Sequence, residues 1–176
     1  KSDAEYRQVN VEGARLVVDA ALRHRVTRFV HCSTSGVHGQ ATNGAIREES
    51  PFAYLPWNLY EVSKAEGERL VLQAAAERGL PAVVVRPGAI YGPGDLRLLK
   101  LFRAIAKRRF VMLGSGRPLY HTLYIDDLID GFLLAAERPE AMGQVFLLAG
   151  PQVTTVRELV QAVAEVLEVR LPPWSL

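Results

Sequence analysis

The chain has 176 residues, 49% hydrophobic and 23% charged, with a formal net charge of +2 from 21 basic and 19 acidic side chains. That length and composition suit a soluble globular domain with one sizeable core. The basic residues are dispersed among acidic ones, which argues against nucleic acid as a partner, and no apolar run approaches the roughly 20 residues of a membrane span, which argues against a membrane.

Ser2-Asp-Ala-Glu5 is a capping-box pattern, and Val9, Ala14, Leu16, Val17, Ala20, Ala21 and Leu22 recur at spacings near the helical period, so a helix is expected from the start, ending in Arg23-His24-Arg25. Val26 to Ser33 reads as a buried strand. A polar loop follows from Gln40 to Asn58, carrying Gly44, Pro51 and Pro56, then a helix from Leu59 to Arg78 that stops at Gly79. Ala82 to Arg86 is a continuous apolar run closed by an arginine, the pattern of a parallel strand covered on both faces. Beyond it, Leu96 to Arg109 reads as helix, Phe110 to Leu113 and Leu119 to Ile125 as strands, Asp126 to Arg138 as helix and Val145 to Ala149 as strand. Thr155-Val-Arg-Glu158 is a second capping box, opening a helix to about Leu167. Helices alternating with apolar strands predict an α/β fold with a largely parallel sheet, and nothing in the chain marks a linker between independent domains.

Chemistry concentrates around Tyr60-Glu-Val-Ser-Lys64, whose spacing puts a phenol and an ammonium on one helical face. A cation beside a tyrosine favours the phenolate and makes the residue a usable acid/base near neutral pH. Ser33, Thr34 and Ser35 lie where a buried strand runs out, the usual place for ligands in open α/β sheets, although the same residues serve as ordinary turn formers. Arg86-Pro-Gly-Ala-Ile-Tyr-Gly-Pro-Gly94 ends another strand, with Gly and Pro permitting close backbone approach.

In this order, Thr34, Tyr60-x-x-x-Lys64 and the Arg-Pro-Gly loop resemble the extended short-chain dehydrogenase/reductases, the NAD-dependent epimerase/dehydratase group. Val9-Asn-Val-Glu-Gly-Ala14, Ser33-Thr34 with Val37-x-Gly39, and Tyr124-Ile-Asp-Asp127 are similar to further motifs of that family, so the likeness spans nearly the entire chain. The resemblance implies a Rossmann-type parallel sheet flanked by helices, with residues 1–92 and part of 110–150 in the core and 93–176 largely in a small substrate-binding subdomain. It implies an NAD(P)-dependent oxidoreductase in which Thr34 polarises a substrate oxygen, Tyr60 is the general acid/base and Lys64 holds the nicotinamide ribose. Asn10, Ser33, Pro87 and Ile90 would line the NAD or NADP cofactor, and Ser35, Ala89 and Tyr120 would face a small-molecule substrate. A homodimer is also implied.

The chain departs from the family pattern in lacking a Gly-x-x-Gly-x-x-Gly turn, so an amino-terminal cofactor-phosphate part is expected upstream, the choice between NAD and NADP goes with it, and the 176-residue piece alone is expected to be inactive. Ala89 stands where sugar-nucleotide enzymes often have Asn, Tyr120 where they have Arg, and His38 where Tyr is usual. The substrate is expected to be a nucleotide sugar or a 3β-hydroxysteroid-like alcohol, with the departures favouring the less polar one. The rival from another class is a non-catalytic nucleotide sensor or scaffold on the same fold. Cys32 is the single cysteine, which excludes an internal disulfide and, with no leader-like segment, suggests a reducing cytoplasm. His31, Cys32 and His38 are read as core and not as metal ligands, Lys107-Arg-Arg109 as a solvated helix end, and Asp126 and Asp127 as helix caps.

Overall fold

The computed structural model describes residues 2–39 and 45–172. The first part of the expected polar loop, residues 40–44 with Gly44, lies outside the described residues. The chain forms two compact units, residues 1–88 with 128–148, and residues 89–127 with 149–176.

In the first unit, helix α1 (Asp3–Arg7) opens with the expected capping box at Ser2 and Glu5 and passes through a π-helical segment (Gln8–Glu12) into α2 (Gly13–Arg23). Strand β1 (Phe29–Cys32) is shorter than the expected Val26 to Ser33. Helix α3 (Leu59–Arg78) is capped by the Asn58 side chain, which accepts from Glu61 N at 3.3 Å, and ends at Gly79 with φ 70°, a left-handed position that glycine takes without strain. Strand β2 (Ala82–Pro87) is buried along its whole length and lies at the centre of a three-stranded parallel sheet, between β1 and the later β6 (Val145–Leu148). Phe29 pairs with Ala82 and Cys32 with Val85 on one side, and Val84 with Val145 and Pro87 with Leu148 on the other. An apolar strand covered on both faces needs just this central place. The core joins Val18 and Ala21 of α2, Val71 and Ala74 of α3, and Leu80, Ala82 and Val84. Each fully buried valine of that cluster contributes on the order of 2 kcal/mol.

The amphipathic stripe expected on the first helix is only partly the buried one. Val18 and Ala21 face the core, whereas Val9, Leu16 and Val17 remain 67%, 57% and 57% exposed.

The π segment and α3 pack tightly at Gly67. A methyl group built on Gly67 would collide with the Asn10 carbonyl oxygen. Alanine is the better helix former by about 1 kcal/mol, but a clash with backbone outweighs that, so Gly67→Ala is expected to lower stability by about 1–3 kcal/mol in denaturant melts. A neutral or stabilising result would mean that the helices can move apart freely.

The second unit contains β3 (Ala89–Tyr91), α4 (Leu96–Ala106), β4 (Leu119–Tyr120), β5 (Thr122–Tyr124), the first residues of α5 (Ile125–Glu137), β7 (Thr154–Thr155) and α6 (Val156–Val166). From Leu128 onward α5 belongs to the first unit. Strands β3 and β5 pair in parallel, and β4 and β7 antiparallel. The second capping box is present, with Thr155 Oγ1 accepting from Glu158 N at 3.1 Å. Its core gathers Ile105 of α4 with Val160 and Ala164 of α6, bordered by Phe110 and Met112.

Four expectations are corrected here. Residues 110–113 form no strand, because Phe110 and Met112 pack on the α4–α6 core while Val111 and Leu113 face outward with no strand opposite. Ala89 to Tyr91, expected as loop, is strand, and the expected strand from Leu119 to Ile125 is two short strands in different pairs. Asp126 and Asp127 sit inside the first turn of α5 and not at its cap, a position that still suits negative charge at a helix amino end. Among the described residues no helix is long and apolar enough to cross a membrane.

Candidate active site

In the first unit the carboxyl end of β1 and the first turns of α3 are tied together directly. The cap at Asn58 places Tyr60 in the first turn of α3 and Lys64 one turn later. Lys64 reaches the strand end, where Nζ donates to the Cys32 carbonyl at 2.5 Å. Burial lowers the Lys64 pKa, opposed by the negative charges that Cys32 and Glu68 can carry. An ammonium has three N–H groups, so the bond to Cys32 engages one donor of a group held half-buried at the site.

Tyr60 is 43% exposed, with its ring edge-on to Tyr6 at 6.2 Å between centroids. Its backbone is held from below. Ser63, fully buried, donates from Oγ to the Tyr60 carbonyl at 2.9 Å and accepts from Asn10 Nδ2 at 2.9 Å. Asn10 belongs to the π segment that packs at Gly67, so the widened helical turn and the glycine deliver an amide to the Tyr60 turn.

Past the strand end, Thr34 is extended at φ −155° and its Oγ1 accepts from Gly36 N at 3.2 Å, capping a 3₁₀ turn (Ser35–His38). Accepting that bond leaves the threonine proton to be donated elsewhere. Ser33 behaves differently from the expectation that it lines a cofactor. It is 3% exposed and its Oγ donates to Glu68 Oε2 at 2.5 Å. Ser35 is half-buried in the 3₁₀ turn, and Pro87 closes buried β2.

The remaining expected residues lie in the second unit, Ala89 and Ile90 on β3 and Tyr120 on β4, and thus on two different strand pairs. The structure therefore gathers Asn10, Ser63, Tyr60, Lys64 and the Cys32 carbonyl, sets Thr34 and Ser35 in the turn just beyond, and turns Ser33 inward.

The most buried charges are Arg86 and a residue outside every sequence motif, Glu68. Glu68 is 0% exposed and Arg86 3%. Arg86 Nε lies 3.1 and 3.2 Å from the two Glu68 carboxylate oxygens and Nη2 donates to Oε1 at 2.5 Å. Its Nη1 meets His38 Nε2 at 2.9 Å and the Glu48 carbonyl at 2.7 Å. A signal existed: an arginine ending a strand covered on both faces must find an acceptor, and Glu68 shares the helical face of Lys64.

The three residues weighed as metal ligands are placed differently, and Cys32, expected in the core, is exposed at the end of β1. His38 uses both ring nitrogens, on Arg86 and on the Pro51 carbonyl at 3.2 Å, and among the described residues no group of three or more His, Cys, Asp or Glu could hold a metal. His31 Nε2 is buried with no hydrogen-bond partner among the described residues, and its pKa falls to about 4, chiefly by burial and secondarily by the Lys64 charge, with Glu68 opposing. Between about 4 and the ordinary value of 6.5 the unfolded chain holds more protons than the folded one, so stability rises with pH across that window and is lost on acidification. His31→Leu is expected to flatten this dependence by on the order of 2 kcal/mol between pH 7 and pH 4, measured as the difference between wild-type and variant denaturant midpoints. Parallel wild-type and variant curves would contradict it.

The sequence model described as the NAD dependent epimerase/dehydratase family matches residues 1–149. A ketoreductase of Stigmatella aurantiaca acting on 4-hydroxy-2-methyl-3-oxo-4-farnesyl-3,4-dihydroquinoline-1-oxide is 39% identical over 84% of this chain and 44% of its own length. A dTDP-glucose 4,6-dehydratase of Streptomyces griseus is 32% identical over 90% of this chain and 48% of its own. Among solved structures, RMD from Pseudomonas aeruginosa in complex with NADPH superposes with a TM-score of 0.82 at 26% identity, covering 97% of this chain and 60% of that one. The chain thus spans about half the length of the curated relatives it matches.

Proposed function

The chain belongs to the NAD dependent epimerase/dehydratase family, and from that premise we propose that the full-length protein is an NAD- or NADP-dependent oxidoreductase acting at a secondary alcohol or ketone carbon, with Tyr60 as its general acid/base. The observation that carries the reading is the bond from Lys64 to the Cys32 carbonyl, which fixes the cation of the Tyr60–Lys64 pair at the carboxyl end of a parallel strand, where α/β folds take their ligands.

The residues present fit a nicotinamide cofactor. Lys64 offers N–H donors to ribose hydroxyls from a half-buried position, and Asn10 and Pro87 belong to the same unit as Tyr60. Bound there, the nicotinamide would accept or donate a hydride. Oxidation of an alcohol also requires a proton to leave its oxygen, and reduction requires one to arrive. Tyr60 Oη carries that proton, the Lys64 charge eases its loss, and the Thr34 hydroxyl holds the substrate oxygen by donating to it. Ser63, through the Tyr60 carbonyl, holds the turn in place.

The substrate in this reading is a less polar alcohol or ketone. Ala89 and Tyr120 offer neither the amide nor the guanidinium that would bind a sugar diphosphate, and the relative at 39% identity is a ketoreductase of a farnesylated ring system. A homodimer through the Val9 to Leu22 and Leu59 to Arg78 helices accounts for the exposure of Val9, Leu16 and Val17, and a cytoplasmic setting suits a chain with one cysteine.

The test is to titrate full-length protein with NADH and NADPH and follow cofactor absorbance against hydrophobic ketones and nucleotide sugars. Turnover of a ketone is expected. Turnover of a nucleotide sugar alone would overturn the substrate assignment, and cofactor binding with no turnover on either panel would favour a sensor.

A further inference from the structure

Two side chains one turn apart on α3 grip the last residue of β1 and the residue after it: Lys64 holds the Cys32 carbonyl at 2.5 Å, and Glu68 holds the Ser33 hydroxyl at 2.5 Å. Thr34 is the next residue. Glu68 is held in turn by the Arg86 guanidinium, which also holds the Glu48 carbonyl directly and the Pro51 carbonyl through the His38 ring. Arg86 only donates, so His38 Nε2 accepts from it, and the His38 hydrogen sits on Nδ1 and is donated to Pro51 O at 3.2 Å. Arg86 Nη1 also donates to Glu48 O at 2.7 Å, and its guanidinium lies 5.3 Å from the centre of the Phe52 ring. One buried cluster therefore fixes the end of β1, the 3₁₀ turn capped by Thr34 and the segment leading into α3.

Stability alone does not explain such a cluster, because apolar residues of similar volume replace a buried ion pair at no cost in many proteins. Resting on the roles proposed for Thr34, Tyr60 and Lys64, we infer that Glu68 and Arg86 are positioning residues that set the Thr34 hydroxyl against the Tyr60–Lys64 face, touching neither substrate nor cofactor. Two prongs from one helix fix the strand end more tightly than Lys64 alone, and displacement of a reacting group by about 1 Å can cost about 100-fold in rate.

The experiment compares full-length wild type with the double variant Glu68→Leu/Arg86→Met, which removes both charges together and keeps the volume. Expected is a melting temperature near that of wild type, cofactor affinity within about threefold, and kcat lower by about 10- to 100-fold. A folded double variant with wild-type kcat overturns the inference, since a merely structural pair would be fully replaced. Ser33→Ala provides a second arm that leaves the ion pair whole. It is expected to lower kcat about threefold to tenfold with an unchanged melting temperature, and wild-type kcat there would overturn the inference even if the double variant failed to fold. Tyr60→Phe run beside them separates the two readings. If it retains turnover, the site assignment falls and this inference with it; if it is inactive while both other variants are wild type, the positioning role alone falls.

Discussion

Tyr60→Phe in the full-length protein is expected to lower kcat by about 10²- to 10⁴-fold while leaving the fold intact. The substitution removes one oxygen and keeps the ring, so the edge-on contact with Tyr6 at 6.2 Å is retained. Tyr60 is 43% exposed, and substitutions at such positions usually change stability by no more than about 0.5 kcal/mol. The Ser63 bond goes to the Tyr60 carbonyl, which the substitution keeps. What disappears is the group that moves the proton at the substrate oxygen. Steady-state kcat at saturating cofactor, with a thermal melt on the same sample, checks both halves. Turnover within threefold of wild type would remove Tyr60 from the mechanism, and a large fall in melting temperature would show that the phenol is part of the fold.

How far the sequence announces this arrangement depends on how local the cause is. The limits of α3 are legible to the residue, because the Gly79 stop at φ 70° acts within one turn. The central place of β2 follows from its unbroken apolar run, and both capping boxes read directly because the paired residues are three apart. The π segment is a different matter: α2 could run straight from α1 by its own pattern, and the bulge accompanies a contact with Gly67, far along the chain. Residues 110–113 show why alternation alone misleads. Phe110 and Met112 do point inward, but onto helices, and a strand needs a partner ladder that no local pattern reveals. In the site, Tyr60, Lys64 and Thr34 are legible as a motif because their chemistry is distinctive. Ser33 shares only their neighbourhood, and its inward turn toward Glu68 depends on a carboxylate contributed by another element.

Glu68→Leu alone is expected to cost about 3–5 kcal/mol, the largest stability loss anticipated for a single substitution here. The reason is what it leaves behind. Arg86 stays 3% exposed on a central strand, and of the acceptors that now meet its guanidinium only His38 Nε2 and the Glu48 carbonyl remain, neither carrying negative charge. A guanidinium cannot shed its charge at any working pH, so the penalty is not relieved by titration. Arg86→Met leaves a buried carboxyl to which the Ser33 hydroxyl still donates, so its cost is expected to be smaller. Denaturant melts of wild type, both single variants and the double variant close a cycle in which the double variant is far more stable than the sum of the single losses. Additive losses would mean that each side chain is stabilised by its own surroundings and that the pair does not act as a unit. In that case the geometry joining α3, β1 and β2 at this point would rest on Lys64 and the apolar core, and Thr34 would be held no more firmly than any other residue at a strand end.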